Sequence, residues 1–183
     1  MTDASSFARP PRYSAETARA YVAAIRARVG DRNPMDLLAQ APNELAKAVA
    51  GLSDEDALRH LDLGEWSVLQ ILRHLSDCEM VYGYRMRLIV AEDRPVIPAF
   101  DQEAWAERLH YDAGTLADAL ADIAAQRART LRWLAALSND ELARVGIHNE
   151  RGEESIHHIV MLLAGHDLAH LSQIERTRVA LGI

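Results

Sequence analysis

From Ile156 to Leu181 the chain is largely apolar and free of proline, so the backbone can run as one uninterrupted helix. That helix must be covered, but not by lipid. His166, Asp167, His170, Glu175, Arg176 and Arg178 break it up well short of the ~20 apolar residues that span a bilayer. An apolar helix in water is buried by packing against other elements, and the chain supplies mostly helices for the purpose. Hydrophobic residues make up 49%, with only 9 Gly and 6 Pro, and Ala, Leu and Arg dominate, a mixture that favours helix over strand. The fold class expected is all-α. The 183 residues fit a single domain spanning the whole chain, since a domain of ~150 residues already buries ~70% of its unfolded surface.

The breaks between apolar repeats set the remaining elements. Residues 1–13, with Pro10-Pro11 and no periodicity, read as an irregular lead. Residues 14–30 read as an accessory N-terminal helix capped by Ser14 and stopped by Gly30. Asn33-Pro34 opens a helix that continues to Leu52, with Pro42 expected to kink or divide it. Ser53 caps a short helix ending before Gly64. A long helix then runs from about Glu65 or Trp66 to Ala91, with Val68, Ile71, Leu72, Leu75, Cys78, Val81, Tyr82 and Ile89 facing inward. Pro95 and Pro98 make 92–113 a long crossover with one or two capped turns from Phe100 to Trp105. Thr115 to Leu137 forms the next long helix, its inward stripe including Arg127. Gly146 to Gly152 reads as a polar loop, and Glu153 to Ala180 as the last helix.

Charge and cysteine usage narrow the partners. The net charge is −7 and the Arg residues are interleaved with acids, which leaves nothing for a phosphate backbone to follow, so nucleic acid is not an expected partner. Cys78 is the single cysteine, which excludes an internal disulfide. No apolar leader precedes Pro11, so the cytoplasm is the expected compartment and a membrane is not an expected partner.

The last helix carries His166 and His170 one turn apart on one face, the spacing that lets two imidazoles reach one ion. A catalytic site of the zinc type needs a third ligand and an open position. His74 is the candidate, because it lies within the inward stripe of the Glu65–Ala91 helix. Buried imidazoles cost about 1 to 3 kcal/mol each if left unpaired, and one shared cation satisfies all three. Separately hydrogen-bonded core histidines would produce the same pattern. The zincin arrangement does not apply, since the residue after His166 is Asp167 rather than Glu and points about 100° away. His60, His110, His148, His157 and His158 read as surface residues. Arg85 lies about 16 Å along the axis from His74, which reads as too far to share a small site, and a buried carboxylate is its expected partner. Asp77, Asp101 and Trp105 are the candidate catalytic side chains, with no acid or base singled out. Cys78 reads as a small buried hydrophobe, with a fourth ligand or a reactive thiol as the alternatives.

Three segments together resemble a known family. Glu65-Trp66-Ser67-Val68 followed by Ile71 to Glu79 and Tyr84-Arg85 is similar to the second helix of the DinB superfamily. Glu92 to Trp105 resembles the crossover of its YfiT-like branch, and Gly165 to Ile174 its last-helix motif. The resemblance implies a four-helix bundle with a long crossover connection and one divalent metal ion per chain, nickel or zinc, on His74, His166 and His170. It also places the family's core arginine at Arg85 and makes a homodimer the expected assembly. The activities it implies are S-transfer from a low-molecular-weight thiol, the leading expectation, or metal-dependent hydrolysis of a small-molecule substrate. A binding or assembly module closed by the ion is the alternative from another class.

Overall fold

The structure, a computed structural model, describes residues 15–62 and 64–183. The irregular lead and the proposed Ser14 cap lie outside the described residues. In chain order the elements are α1 (Ala15–Val29), α2 (Pro34–Ala48), α3 (Asp54–Ala57), α4 (Val68–Ala91), β1 (Val96–Ile97) and α5 (Gln102–Arg108). There follow α6 (Leu116–Leu134), α7 (Asn139–Ala143), β2 (Val145–His148), β3 (Gly152–Ser155) and α8 (Ile156–Leu181). The helices α2, α6, α4 and α8 pack in that cyclic order, each against the next, and form a four-helix bundle. The helix α1 lies against α8 on the outside of this ring.

The starts of the bundle helices follow from short polar side chains that take up otherwise unpaired amides. Asn33 Oδ1 accepts from Met35 N at 2.9 Å, with Pro34 in the first turn of α2. Ser67 and Gln70 form a reciprocal capping box at α4, which places its start after Trp66. Thr115 caps α6, Ser155 caps α8, and Gly182 ends α8 in the left-handed region at φ 68°.

Two sequence expectations need correction here. Pro42 does not divide α2, which runs through it as one helix. A proline leaves the carbonyl four residues earlier without its amide donor. That carbonyl, Leu38 O, accepts instead from Arg127 Nη1 of α6 at 2.7 Å. The segment read as a polar loop at 146–152 is a hairpin, β2 antiparallel to β3, with β1 of the crossover added in parallel on the other side of β2. The strands are too short for a period-two pattern to register, and the first residues assigned to the last helix, 153–155, belong to β3. The sheet sits firmly on α4: a Cβ on Gly146 would come within 2.5 Å of Ile97 Cδ1 and 2.9 Å of Ile89 Cγ1.

The term accessory also understates α1. A Cβ on Gly165 of α8 would lie 2.6 Å from the backbone oxygen of Ile25, so only glycine lets the two helices approach this closely. Ile25 and Val29 are thereby buried in the main core beside Leu162 and Leu163.

Across the middle of the bundle runs one charged cluster. Arg127, 2% exposed, gives Nε and Nη2 hydrogen bonds to Glu79 Oε1 of α4 at 2.8 and 2.5 Å, and its Nη2 lies 2.8 Å from Asp167 Oδ2 of α8. With the bond to Leu38 O, one guanidinium ties α6 to the other three bundle helices. Pairing with buried carboxylate, expected for Arg85, is therefore the property of Arg127.

Candidate metal centre

The inward stripes of α4 and α8 bring His74, His166 and His170 together. His74 Nε2 lies 3.2 Å from His166 Nε2, which in turn lies 3.1 Å from His170 Nε2. The three ring centroids are 4.4 to 5.1 Å apart and steeply inclined to one another, so the nitrogens converge while the rings fan out. Metal–nitrogen bonds of about 2.0–2.1 Å at angles near 90–110° place neighbouring ligand atoms about 3 Å apart, the spacing found between His74 and His166 and between His166 and His170.

The protonation states fit the same purpose. Burial above all pushes His74 down to about 3 and His170 to about 4, and drives His166 well below its ordinary value. The three rings are neutral at pH 7 and keep lone pairs to donate. Gln173 selects the tautomer of His170: its Oε1 accepts from Nδ1–H at 2.9 Å, which leaves Nε2 bare and directed at the cluster. His166 Nδ1 is buried with no hydrogen-bond partner. Cys78 Sγ sits 3.5 Å from His74 Nε2, within reach of the same centre, and burial pushes its thiol up. The donor set, three imidazoles with a sulfur beside them, suits a borderline-soft ion such as zinc or nickel better than calcium or magnesium.

A cavity of about 470 Å³ opens over these rings. Its walls come from four directions: Tyr21 and Ile25 from α1, Tyr82 and Arg85 from α4, Ala99 and Phe100 from the crossover, and His148 and Arg151 from the hairpin. The crossover is pinned on both sides of Phe100, by Ala99 N donating to Asn149 Oδ1 at 2.9 Å and by Trp66 Nε1 donating to Glu103 Oε2 at 3.2 Å.

A model of the DinB superfamily matches residues 37–174, from α2 to the middle of α8. This chain belongs to the DinB superfamily. A relative from Bacillus licheniformis is 32% identical over 149 residues, 79% of this chain and 83% of its own; one from Oceanobacillus iheyensis is 30% identical over 135 residues, 73% and 76%. Both carry the name "putative metal-dependent hydrolase". Among solved structures, YfiT from Bacillus subtilis, described as a probable metal-dependent hydrolase with an unusual four-helix bundle topology, superposes with a TM-score of 0.75. The superposition covers 96% of this chain and 94% of that one at 21% identity, which speaks for the fold.

Other site expectations for this DinB-superfamily chain are placed differently. Asp77 accepts a 2.6 Å hydrogen bond from Tyr111 Oη and anchors the far end of the crossover to α4. Asp101 caps α5 by accepting from Ala104 N, and Trp105 packs on Phe100 with ring centroids 4.8 Å apart. None of these three lines the cavity. Arg85 does line it, against the expectation that it is too remote. His148 is not a surface residue but is 2% exposed, and His158 is half-buried, while His60, His110 and His157 are exposed as expected. Helical periodicity carries no information about His148. A strand reading would have placed it on the buried face with Gly146.

Proposed function

We propose that this chain is a metal-dependent hydrolase that holds one divalent ion, zinc or nickel, on His74, His166 and His170 and takes a small molecule in the adjoining cavity. The observation that carries this reading is the convergence of three neutral imidazole nitrogens at the floor of a cavity. The names of the curated relatives agree with it. When bound, such an ion supplies a Lewis acid and lowers the pKa of a coordinated water or thiol. The chain's own contribution is positioning. Gln173 fixes the His170 tautomer, the tilted ring of Trp66 holds His74 from 4.8 Å, and Phe100, Tyr82 and Ile25 supply the less polar part of the cavity wall.

Transfer of a low-molecular-weight thiol is the second reading, and one observation favours it. Among the described residues, Glu150 is the only carboxylate lining the cavity and it is already partnered, so no free carboxylate there serves as general base for water. A thiol needs less help, since its ordinary pKa of about 8.5 is far closer to neutrality than that of water.

Zinc-loaded protein incubated with 4-nitrophenyl acetate, with and without added cysteine, separates the two. Hydrolysis that proceeds without thiol and disappears in His74→Ala, His166→Ala and His170→Ala supports the first reading. Turnover of 1-chloro-2,4-dinitrobenzene that requires cysteine, with no ester hydrolysis, replaces it by the second. Activity unchanged in the variants contradicts both.

A further inference from the structure

Two buried donors on residues that line the cavity have no acceptor. His148 Nδ1 accepts the backbone amides of Glu150 and Arg151 at 3.1 and 3.3 Å, so the proton of the neutral ring resides on Nε2. That Nε2–H is buried and unpartnered. Burial, helped by the nearby Arg151 and Arg85, pushes His148 down to about 3, so it remains a neutral donor across the physiological range. Arg85, 2% exposed, donates from Nη2 to Pro98 O at 2.6 Å, and its guanidinium lies 5.2 Å from the Tyr82 ring and 5.8 Å from the Phe100 ring. Its Nε–H has no acceptor. Among the described residues no carboxylate lies within ion-pair distance of Arg85.

The other charges on the wall are already used. Arg151 is neutralised by a two-point ion pair with Glu154, at 2.5 and 3.1 Å, and Glu150 is partnered. An isolated buried guanidinium is costly unless something supplies an opposite charge. Both unfilled positions are donors and call for acceptor atoms, and the guanidinium without an ion pair favours an acceptor that carries negative charge. A carboxylate does both with its two oxygens.

We propose that the cavity selects an anionic small molecule, whose carboxylate is seated on Arg85 Nε–H and His148 Nε2–H while the rest of the molecule extends toward the three histidines. That extension toward a reacting centre rests on the metal-dependent reading; the carboxylate seat does not. Arg85 and His148 are specificity-determining residues in this account, and the ion performs no part of the anion binding.

Calorimetric titration of the full chain with glutarate and with its uncharged dimethyl ester tests the proposal, in zinc-loaded and zinc-stripped protein. Glutarate is expected to bind at least about tenfold more tightly than the diester in both states, as charge-assisted hydrogen bonds require. Arg85→Gln and His148→Phe are each expected to weaken glutarate about tenfold and leave the diester and the zinc content unchanged. Should one variant fail to fold, the other and the comparison of diacid with diester still decide. Equal binding of glutarate and diester, glutarate binding that survives in a folded variant, or glutarate binding that vanishes with zinc and ignores both substitutions overturns it. Wild-type protein that keeps the preference for glutarate but takes up no zinc contradicts the metal reading alone; one zinc per chain without the preference contradicts this proposal alone.

Discussion

Two polar clusters sit side by side in this bundle and solve opposite problems. His166 and Asp167 are neighbours in α8, and His74 and Glu79 lie about one turn apart in α4, yet each helix sends one residue to the histidine centre and the other to Arg127. The Arg127 cluster finds its main partners within the bundle. Its cation meets two carboxylates and a freed carbonyl, and what remains over, Glu79 Oε2 and the poorly aligned Asp167 Oδ2, is acceptor capacity beside that cation. Burial pushes Asp167 up to about 6 while Arg127 pulls it down. The histidine centre and its cavity do not close. They leave lone pairs converging on one point and donors at Arg85 and His148 with nothing to bond. A polar cluster whose cation is met by its own carboxylates holds a fold together, and one whose donors and lone pairs lack such partners is open to a ligand.

That contrast is broken most severely at Arg127. Arg127→Met leaves Glu79 and Asp167 buried without a cation and Leu38 O without a donor, and is expected to destabilise the chain by about 3–5 kcal/mol in urea unfolding of metal-free protein. His74→Ala in the same assay is expected to cost clearly less, because no counter-charge is orphaned. Equal losses would erase the distinction between a closed and an open cluster. Removing the ion from wild-type protein comes next. A ligand at 100 times its dissociation constant stabilises by about 2.7 kcal/mol, so a chelated sample is expected to melt lower, and the Arg127 cluster should be unaffected.

Smaller effects sharpen the picture around the cavity. Gly165→Ala forces α1 away from α8 and is expected to cost about 1–3 kcal/mol, with faster proteolysis within 15–30 than in wild type. An unchanged melt would mean that α1 is not seated as described. The pH response is smallest near neutrality. His74, His148, His166 and His170 all have folded-state pKa values below the ordinary ~6.5, so their contribution is present above that value and lost as pH falls and the unfolded chain takes up protons first. Going from pH 7.5 to 6.5 is expected to cost ~0.4 kcal/mol per imidazole in metal-free protein, and the slope steepens below. Asp167 opposes this between about 6 and the usual carboxylate range, being easier to protonate folded than unfolded. A melt that rises on acidification across this window would contradict the neutral, buried rings.

What the sequence makes legible follows from periodicity. A 3.6-residue repeat marks α4, α6 and α8 and places three histidines on inward faces, and capping residues fix most helix starts within a few positions. What it hides is set by contacts between elements distant in the chain. Nothing local to Pro42 announces that Arg127 will take up the carbonyl it frees, and nothing local to Gly165 announces Ile25 on its other side. Strands of two to four residues carry too few side chains to show alternation, so the hairpin and with it His148 go unread. The resemblance to the DinB superfamily adds the bundle topology, and the matched region, 37–174, leaves the packing of α1 to the structure.

The most direct test of the central claim is the amount of divalent metal bound per chain, measured by elemental analysis of protein purified without a histidine tag. One equivalent of zinc or nickel in wild type, and almost none in folded His74→Ala, His166→Ala and His170→Ala, is the result expected. Wild-type protein that remains metal-free when offered either ion, or variants that retain a full equivalent, would contradict the account.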